Sequence, residues 1–146
     1  MADRILLDTN VVVYAYDRSE PEKQARAFKI LERLQETGLG ALTTQVLAEF
    51  FTVVTRKLSI PLGLKESARQ VELLARSWPV FDVTTFTVIE AVRGVQVHHM
   101  SYWDAQIWAS ALLNQVPIVF SEDFRTGSIV EGVRFVNPFE TNFELP

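Results

Sequence analysis

Cysteine is absent from all 146 residues, which excludes disulfides, zinc-thiolate centres and a thiolate nucleophile, and suits a reducing cytoplasm. Long apolar runs are missing as well. Although 48% of the chain is hydrophobic, no run approaches the roughly 18 residues that a membrane span requires, so no membrane association is expected. The opening Met1-Ala2-Asp3-Arg4 leads into an apolar segment without a basic n-region or a small-residue cleavage site, so no export signal is visible and a cytoplasmic location is expected. Excess positive charge is lacking too. A formal charge of -4 argues against non-specific coating of nucleic acid, which favours a basic surface, yet it leaves room for an enzyme that grips a short RNA segment. Low-complexity stretches are absent, and residues 1–146 read as one domain able to close one hydrophobic core. Histidine is scarce. His98 and His99 are adjacent and so point in different directions, which makes joint ligation of one ion awkward and a structural role the expectation.

What is present is an alternation of short β-rich runs with longer amphipathic ones. Ile5-Leu6-Leu7 reads as a first strand. Ser19-Glu20-Pro21-Glu22 has capping-box spacing, with proline in the first turn, and predicts a helix carrying Ala27, Ile30, Leu31 and Leu34 that Gly38 and Gly40 stop. Ala41-Leu42-Thr43 follows as a strand. Thr44 then predicts the cap of a helix with a stripe of Leu47, Phe50, Phe51, Val54 and Leu58, its end marked by Pro61. A helix with Leu64, Ala68, Val71, Ala75 and Trp78 inward leads to a strand over 80–83. Further helices are expected over 85–97 and 101–114, then strands at Ile118-Val119-Phe120 and Val133-Arg134-Phe135-Val136. This βαβα pattern implies an α/β fold with a mainly parallel sheet and helices on both faces. Ligands in such sheets bind outside the carboxyl ends of the strands. Phe50, Phe51, Trp78 and Trp108 sit at helical spacings and are expected in the core.

Acidic residues recur at that carboxyl edge. Asp8 directly follows the first strand, with Thr9 and Asn10 adding short polar groups; Asp8 alone is equally an ordinary helix cap. Glu49 interrupts a partly apolar line between Val46 and Val53, although a solvated helix glutamate is the simpler account. Asp104 heads the apolar stripe of Ile107, Trp108 and Ala111, where an unpaired carboxylate is costly, and Ser101-Tyr102-Trp103-Asp104 also has capping-box spacing. Ser121-Glu122-Asp123 follows the fourth strand, so either acid, or both, can reach the same edge. A parallel sheet brings these positions to one rim. Clustered carboxylates repel one another unless a cation compensates, and an all-oxygen pocket selects Mg²⁺ or Mn²⁺. Such an ion activates water and neutralises phosphoryl charge, which makes phosphodiester hydrolysis the natural reaction. Asp82 also ends a strand but is set aside, and Asp17 is assigned to helix support or substrate contact without a metal role. Arg18, Arg93 and Arg125 are basic candidates near the rim.

Four short motifs, Ile5-Leu6-Leu7-Asp8-Thr9-Asn10, Gln45-Val46-Leu47-Ala48-Glu49, Ser101-Tyr102-Trp103-Asp104-Ala105 and Ser121-Glu122-Asp123-Phe124, together resemble the PIN-domain family, and within it the VapC-like ribonuclease toxins of toxin-antitoxin pairs. Gly127, Gly132 and Val136-Asn137-Pro138-Phe139 add to the likeness. The resemblance covers nearly the whole chain and implies a three-layer sandwich around a five-stranded sheet ordered 3-2-1-4-5. It also implies that Asp8, Glu49 and Asp104 hold the cation, that Asp123 completes the pocket, and that Thr9, Asn10, Ser121 and Glu122 support it. An RNA substrate, a small antitoxin partner and a homodimer are further implications. The family often separates the two acids of its last motif by one residue, whereas Glu122 and Asp123 are adjacent here. Asp123 is preferred because Ser121-Glu122-Asp123 aligns with a Thr-x-Asp pattern. Two other functions compete. A receiver domain would need paired acids after the first strand and a lysine after the last, and all lysines here lie at or before Lys65. A non-catalytic PIN-like module that binds RNA or protein would not need its acids intact.

Overall fold

A computed structural model describes residues 3–146. The sheet begins with β1 (Ile5–Leu7), three residues buried on both faces, as expected of a strand covered by helices on either side. Next come α1 (Thr9–Tyr14), α2 (Pro21–Thr37), β2 (Gly40–Thr43), α3 (Thr44–Arg56), α4 (Leu64–Ser77) and β3 (Val80–Phe81). The second half contributes α5 (Thr85–His98), α6 (Tyr102–Leu113), β4 (Ile118–Phe120), β5 (Ile129–Val130) and β6 (Val133–Val136). The strand order is β3-β2-β1-β4-β6-β5. Every pairing is parallel except β5 with β6. The expected five-stranded parallel order is therefore present, with β6 as its fifth strand. The sixth, β5, is a two-residue antiparallel addition at the edge, closed by a turn in which Glu131 and Gly132 both take positive φ. It is too short to register as an apolar alternation.

Residues 9–14 form a short helix with Asp8 as its N-cap, in line with the capping reading of that residue. Several local expectations are corrected by tertiary packing. Glu20, not Ser19, is the N-cap of α2 and makes no side-chain capping bond, because Pro21 already starts the helix and Ser19 instead donates to Asp17. Thr43 rather than Thr44 caps α3, accepting from the Val46 amide at 3.1 Å; Thr44 Oγ1 accepts from the Val83 amide, which ends β3 two residues earlier than expected. The inward stripe of α4 is rotated. Ser67 and Leu74 are buried with Trp78, whereas Leu64, Ala68 and Ala75 face solvent. Phe50, Trp78 and Trp108 join the core as expected, but Phe51 lies 36% exposed on the outer side of α3.

The core is one cluster running from Ile5 through Phe50 and Trp108 to Phe135. Two glycines allow its closest approaches. A Cβ on Gly94 would stand 2.8 Å from the Trp108 ring, so only glycine lets α5 lie against α6 there. At Gly40 the corresponding distance to Trp78 is 2.2 Å, which explains a glycine inside a buried strand that turn chemistry alone would assign to a loop. Among the described residues no helix is long and apolar enough to cross a membrane.

Candidate active site

Strand order reverses around β1, since the chain winds from β1 outward to β2 and β3 on one side and to β4 and β6 on the other. Loops leaving β1 and β4 therefore diverge and leave a crevice at their carboxyl ends. The Asp8 amide donates to the Phe120 carbonyl at 2.9 Å, pinning the two strand ends together at the floor of that crevice. A cavity of about 360 Å³ opens above it, and Asp8, Glu49, Asp104 and Asp123 all line it. All four sequence-predicted acids, drawn from opposite ends of the chain, thus share one cavity.

Each acid is held by neighbours of its own. Asp8 is 6% exposed; it caps α1 by accepting from the Thr9 amide at 2.8 Å, while its other oxygen accepts from Ser121 Oγ at 2.7 Å. The cap and the cavity wall are the same side chain. Burial pushes its carboxyl up to about 6, with smaller contributions from the charges of Asp123 and Glu49, against the lowering effect of the Ser121 and Thr9 hydrogen bonds. Glu49, on the second turn of α3, accepts from Thr9 Oγ1 at 2.8 Å and from Gln45 Nε2 at 3.2 Å. Asp104 lies in the first turn of α6, half-buried. Its expected capping box does not form: Ser101 is the N-cap but makes no side-chain capping bond. Asp123 is exposed at the mouth, where Asn10 Nδ2 donates to it at 3.1 Å; partial burial, and after it the charge of Asp104, raise its carboxyl above the ordinary range.

The adjacent acids of the last motif diverge. Glu122 turns outward to an ion pair with Lys23 at 2.8 Å and accepts from the Tyr14 hydroxyl. Its backbone amide donates to Asn10 Oδ1 at 3.2 Å, so Asn10 grips both Glu122 and Asp123. Asp17 does line the cavity, 8% exposed, with one oxygen engaged by Ser19 at the turn into α2. Asp82, at the outer edge of the sheet, is not among the lining residues. Nor is Arg93, contrary to expectation: it pairs with Glu90 and Glu131 beside the turn that precedes β6, at the opposite end of the sheet. Arg18 and Arg125 are exposed and do not line the cavity. His98 pairs with Glu131 and packs edge-on against Trp108, and His99 caps α5, both away from the acids. Lys23, Tyr14, Gln45 and the exposed Trp103 are neighbours of the site that sequence reasoning passed over. A glutamine at the start of a helix and a tryptophan beside a candidate acid were the available signals.

The donor set is entirely oxygen and carries excess negative charge, which suits a hard divalent cation. Among the described residues no three of the acids converge closely enough to enclose an ion by themselves. The ion that fits is one that keeps much of its water shell and uses few carboxylates directly, as Mg²⁺ does. The amino ends of α3 and α6 lie at the same rim and offset part of the negative charge.

Residues 5–129 match the family model described as PIN domain. No curated protein sequence matches significantly. Among solved structures, a toxin-antitoxin complex from Klebsiella pneumoniae is 16% identical with a TM-score of 0.68, covering 93% of this chain and 98% of that one. The VapC20 toxin of Mycobacterium tuberculosis, described as cleaving the sarcin-ricin loop, is 18% identical with a TM-score of 0.64, covering 87% and 97%. VapBC2 from Rickettsia felis, bound to a DNA fragment from its promoter, is 15% identical with a TM-score of 0.64, covering 90% and 96%. Identities this low establish a shared fold.

Proposed function

We propose, from the premise that this chain belongs to the PIN-domain family, that it is a Mg²⁺- or Mn²⁺-dependent endoribonuclease and the toxin of a toxin-antitoxin pair. The observation that carries the reading is the convergence of Asp8, Glu49, Asp104 and Asp123 on one cavity at the switch point of the sheet. Among the structural neighbours, one is described as a sarcin-ricin loop cleaving toxin and others are toxin-antitoxin complexes, which supports RNA as the substrate class and an antitoxin as a partner. A small antitoxin and a second copy of the chain are the partners assigned here.

In this mechanism Asp8, Glu49 and Asp104 would hold the cation, partly through its own water shell, and Asp123 would complete the pocket. A divalent cation held there supplies Lewis acidity toward a phosphoryl oxygen and lowers the pKa of water. The chain's own groups set the geometry. Thr9 Oγ1 and Gln45 Nε2 both donate to Glu49 Oε1, which fixes that carboxylate while leaving Oε2 free. Ser121 and the Thr9 amide hold the two oxygens of Asp8, so neither can swing. Asp123 is the solvent-facing acid, and its raised affinity for a proton suits exchange with water at the mouth. Glu122 and Lys23 neutralise each other and brace the loop that carries Asp123.

A second reading is a PIN-like module that binds RNA or protein without cutting, in keeping with the fact that among the described residues no three of the acids enclose an ion by themselves. One experiment separates the two. Purified protein is incubated with labelled single-stranded RNA in Mg²⁺, in Mn²⁺ and in EDTA. Cleavage that needs the metal supports the ribonuclease; undiminished cleavage in EDTA, with contaminating nuclease excluded by the inactive Asp104→Asn protein, overturns the mechanism; binding without cleavage supports the module.

A further inference from the structure

The three tryptophans of the chain have different fates. Trp78 and Trp108 are buried at 6% and 0% exposure, whereas Trp103 leaves 62% of its surface in solvent. A large amphipathic ring normally buries most of its area, so an exposed one on a rigid helix beside a functional cavity invites a ligand. Trp103 immediately precedes Asp104 and lines two cavities: the acidic one and an adjoining groove of about 450 Å³, which also share Gln45, Glu49 and Val53. Beyond the shared wall the groove continues along α3 to Lys57.

Most polar groups of this groove already satisfy one another. Gln45 Nε2 donates to Glu49 Oε1 and to the Trp103 carbonyl, each at 3.2 Å, and its oxygen accepts from Gln106 at 2.9 Å. Thr52 Oγ1 donates to the Ala48 carbonyl, and Thr44 Oγ1 accepts from the Val83 amide. Apart from Glu49 Oε2 at the wall shared with the acidic cavity, what remains for a ligand is the exposed part of the Trp103 indole, which meets Tyr102 edge-to-face at 5.0 Å, and the ammonium of Lys57, which makes no ion pair among the described residues. A stacking platform and a cation, with few free hydrogen-bonding groups between them, are the elements that hold single-stranded nucleic acid without reading its sequence.

Resting on the ribonuclease reading, we infer that this groove is a nucleotide subsite: Trp103 stacks on the base next to the phosphate seated among the acids, and Lys57 neutralises a phosphate further along the strand. The subsite grips any base. It gives the enzyme reach along a single strand and leaves sequence choice to other surfaces.

The test uses a short single-stranded RNA with the full chain, in two arms. In EDTA, binding is read by tryptophan fluorescence. The wild type should be quenched, because Trp103 is the exposed indole. Trp103→Ala should lose the quench and weaken Kd roughly 10-fold, while Trp103→Phe should retain most of the affinity. Lys57→Gln should lower the slope of log Kd against log salt by about 0.7, the value for one phosphate contact on a single strand. Changing the base at any one position should alter Kd by less than about threefold. In Mg²⁺ or Mn²⁺, the loss in Trp103→Ala should fall on KM rather than on kcat. Wild-type affinity and KM in Trp103→Ala, with cleavage intact, would overturn the subsite and leave the ribonuclease standing. Absent cleavage with the quench and its loss as described would overturn the ribonuclease and leave an RNA-binding groove. Failure of the wild type to bind RNA in EDTA overturns the subsite, and failure to cleave it in Mg²⁺ or Mn²⁺ as well overturns both. Should Trp103→Ala convert a larger sedimenting species to a smaller one without changing RNA binding, the indole lies between copies and the inference is wrong.

Discussion

Replacing Asp8 with Asn should stabilise the metal-free protein near neutral pH, by an amount that shrinks as the solution is acidified. Asp8 is buried, and its carboxyl is pushed from the ordinary 3.8 to about 6, mainly by desolvation. Between those two values the folded state binds more protons than the unfolded one, so stability falls as pH rises through that window. The change is complete above the folded value and absent below the unfolded one. At about 1.36 kcal/mol per pH unit, ionised Asp8 costs the fold roughly 3 kcal/mol at pH 8. Asparagine keeps the shape and can still accept from the Thr9 amide, so it stands in for the protonated acid. Melting in EDTA should therefore rise by roughly 6–12 °C at pH 8 and by little at pH 4. Adding Mg²⁺ should narrow the gap, because an ion that binds the ionised site stabilises only the wild type. An Asn variant that melts at or below the wild type at pH 8, or one whose advantage is the same at both pH values, would refute the assignment of that carboxylate as a buried, destabilising charge.

The adjacent acids offer a second measurement: Asp123→Asn should cut metal-dependent cleavage by roughly 100-fold or more, as loss of an electrostatic contact in a catalytic site does. Glu122→Gln should change it only a few-fold and cost about 0.2–1 kcal/mol of stability through its exposed pair with Lys23, measured by urea unfolding. Thr9→Val removes the hydroxyl that holds Glu49 and should lower kcat about 10-fold with KM nearly unchanged, since binding groups are left in place. Gly94→Ala gains about 1 kcal/mol in helix propensity but forces a methyl to within 2.8 Å of Trp108; a net loss of about 1–3 kcal/mol in chemical denaturation is expected.

Local periodicity and punctuation in the sequence determined where the main helices and parallel strands lie, because a strand buried on both faces must be a short apolar run and each crossover helix needs a stripe and a stop. Gly38, in the left-handed conformation at the end of α2, ends its helix by backbone chemistry alone. The order of four weak acidic motifs also placed Asp8, Glu49, Asp104 and Asp123 at one rim, since topology converts chain order into position. Rotations and choices between neighbours were decided elsewhere. The inward face of α4 turned on where Trp78 and Leu74 could pack, not on the best apolar count. Thr43 caps α3, while the Thr44 hydroxyl accepts from the Val83 amide, a partner 39 residues away that local sequence does not reveal. Glu122 and Asp123 are alike as residues, and only the arrival of Lys23 and Tyr14 from the first half of the chain draws one outward while Asn10 holds the other at the mouth. Trp103 stood in the sequence only as part of the Ser101-Tyr102-Trp103-Asp104-Ala105 motif, with no role of its own; its exposure follows from which distant segments pack against α6, because burial is a property of contacts between distant segments and has no local code.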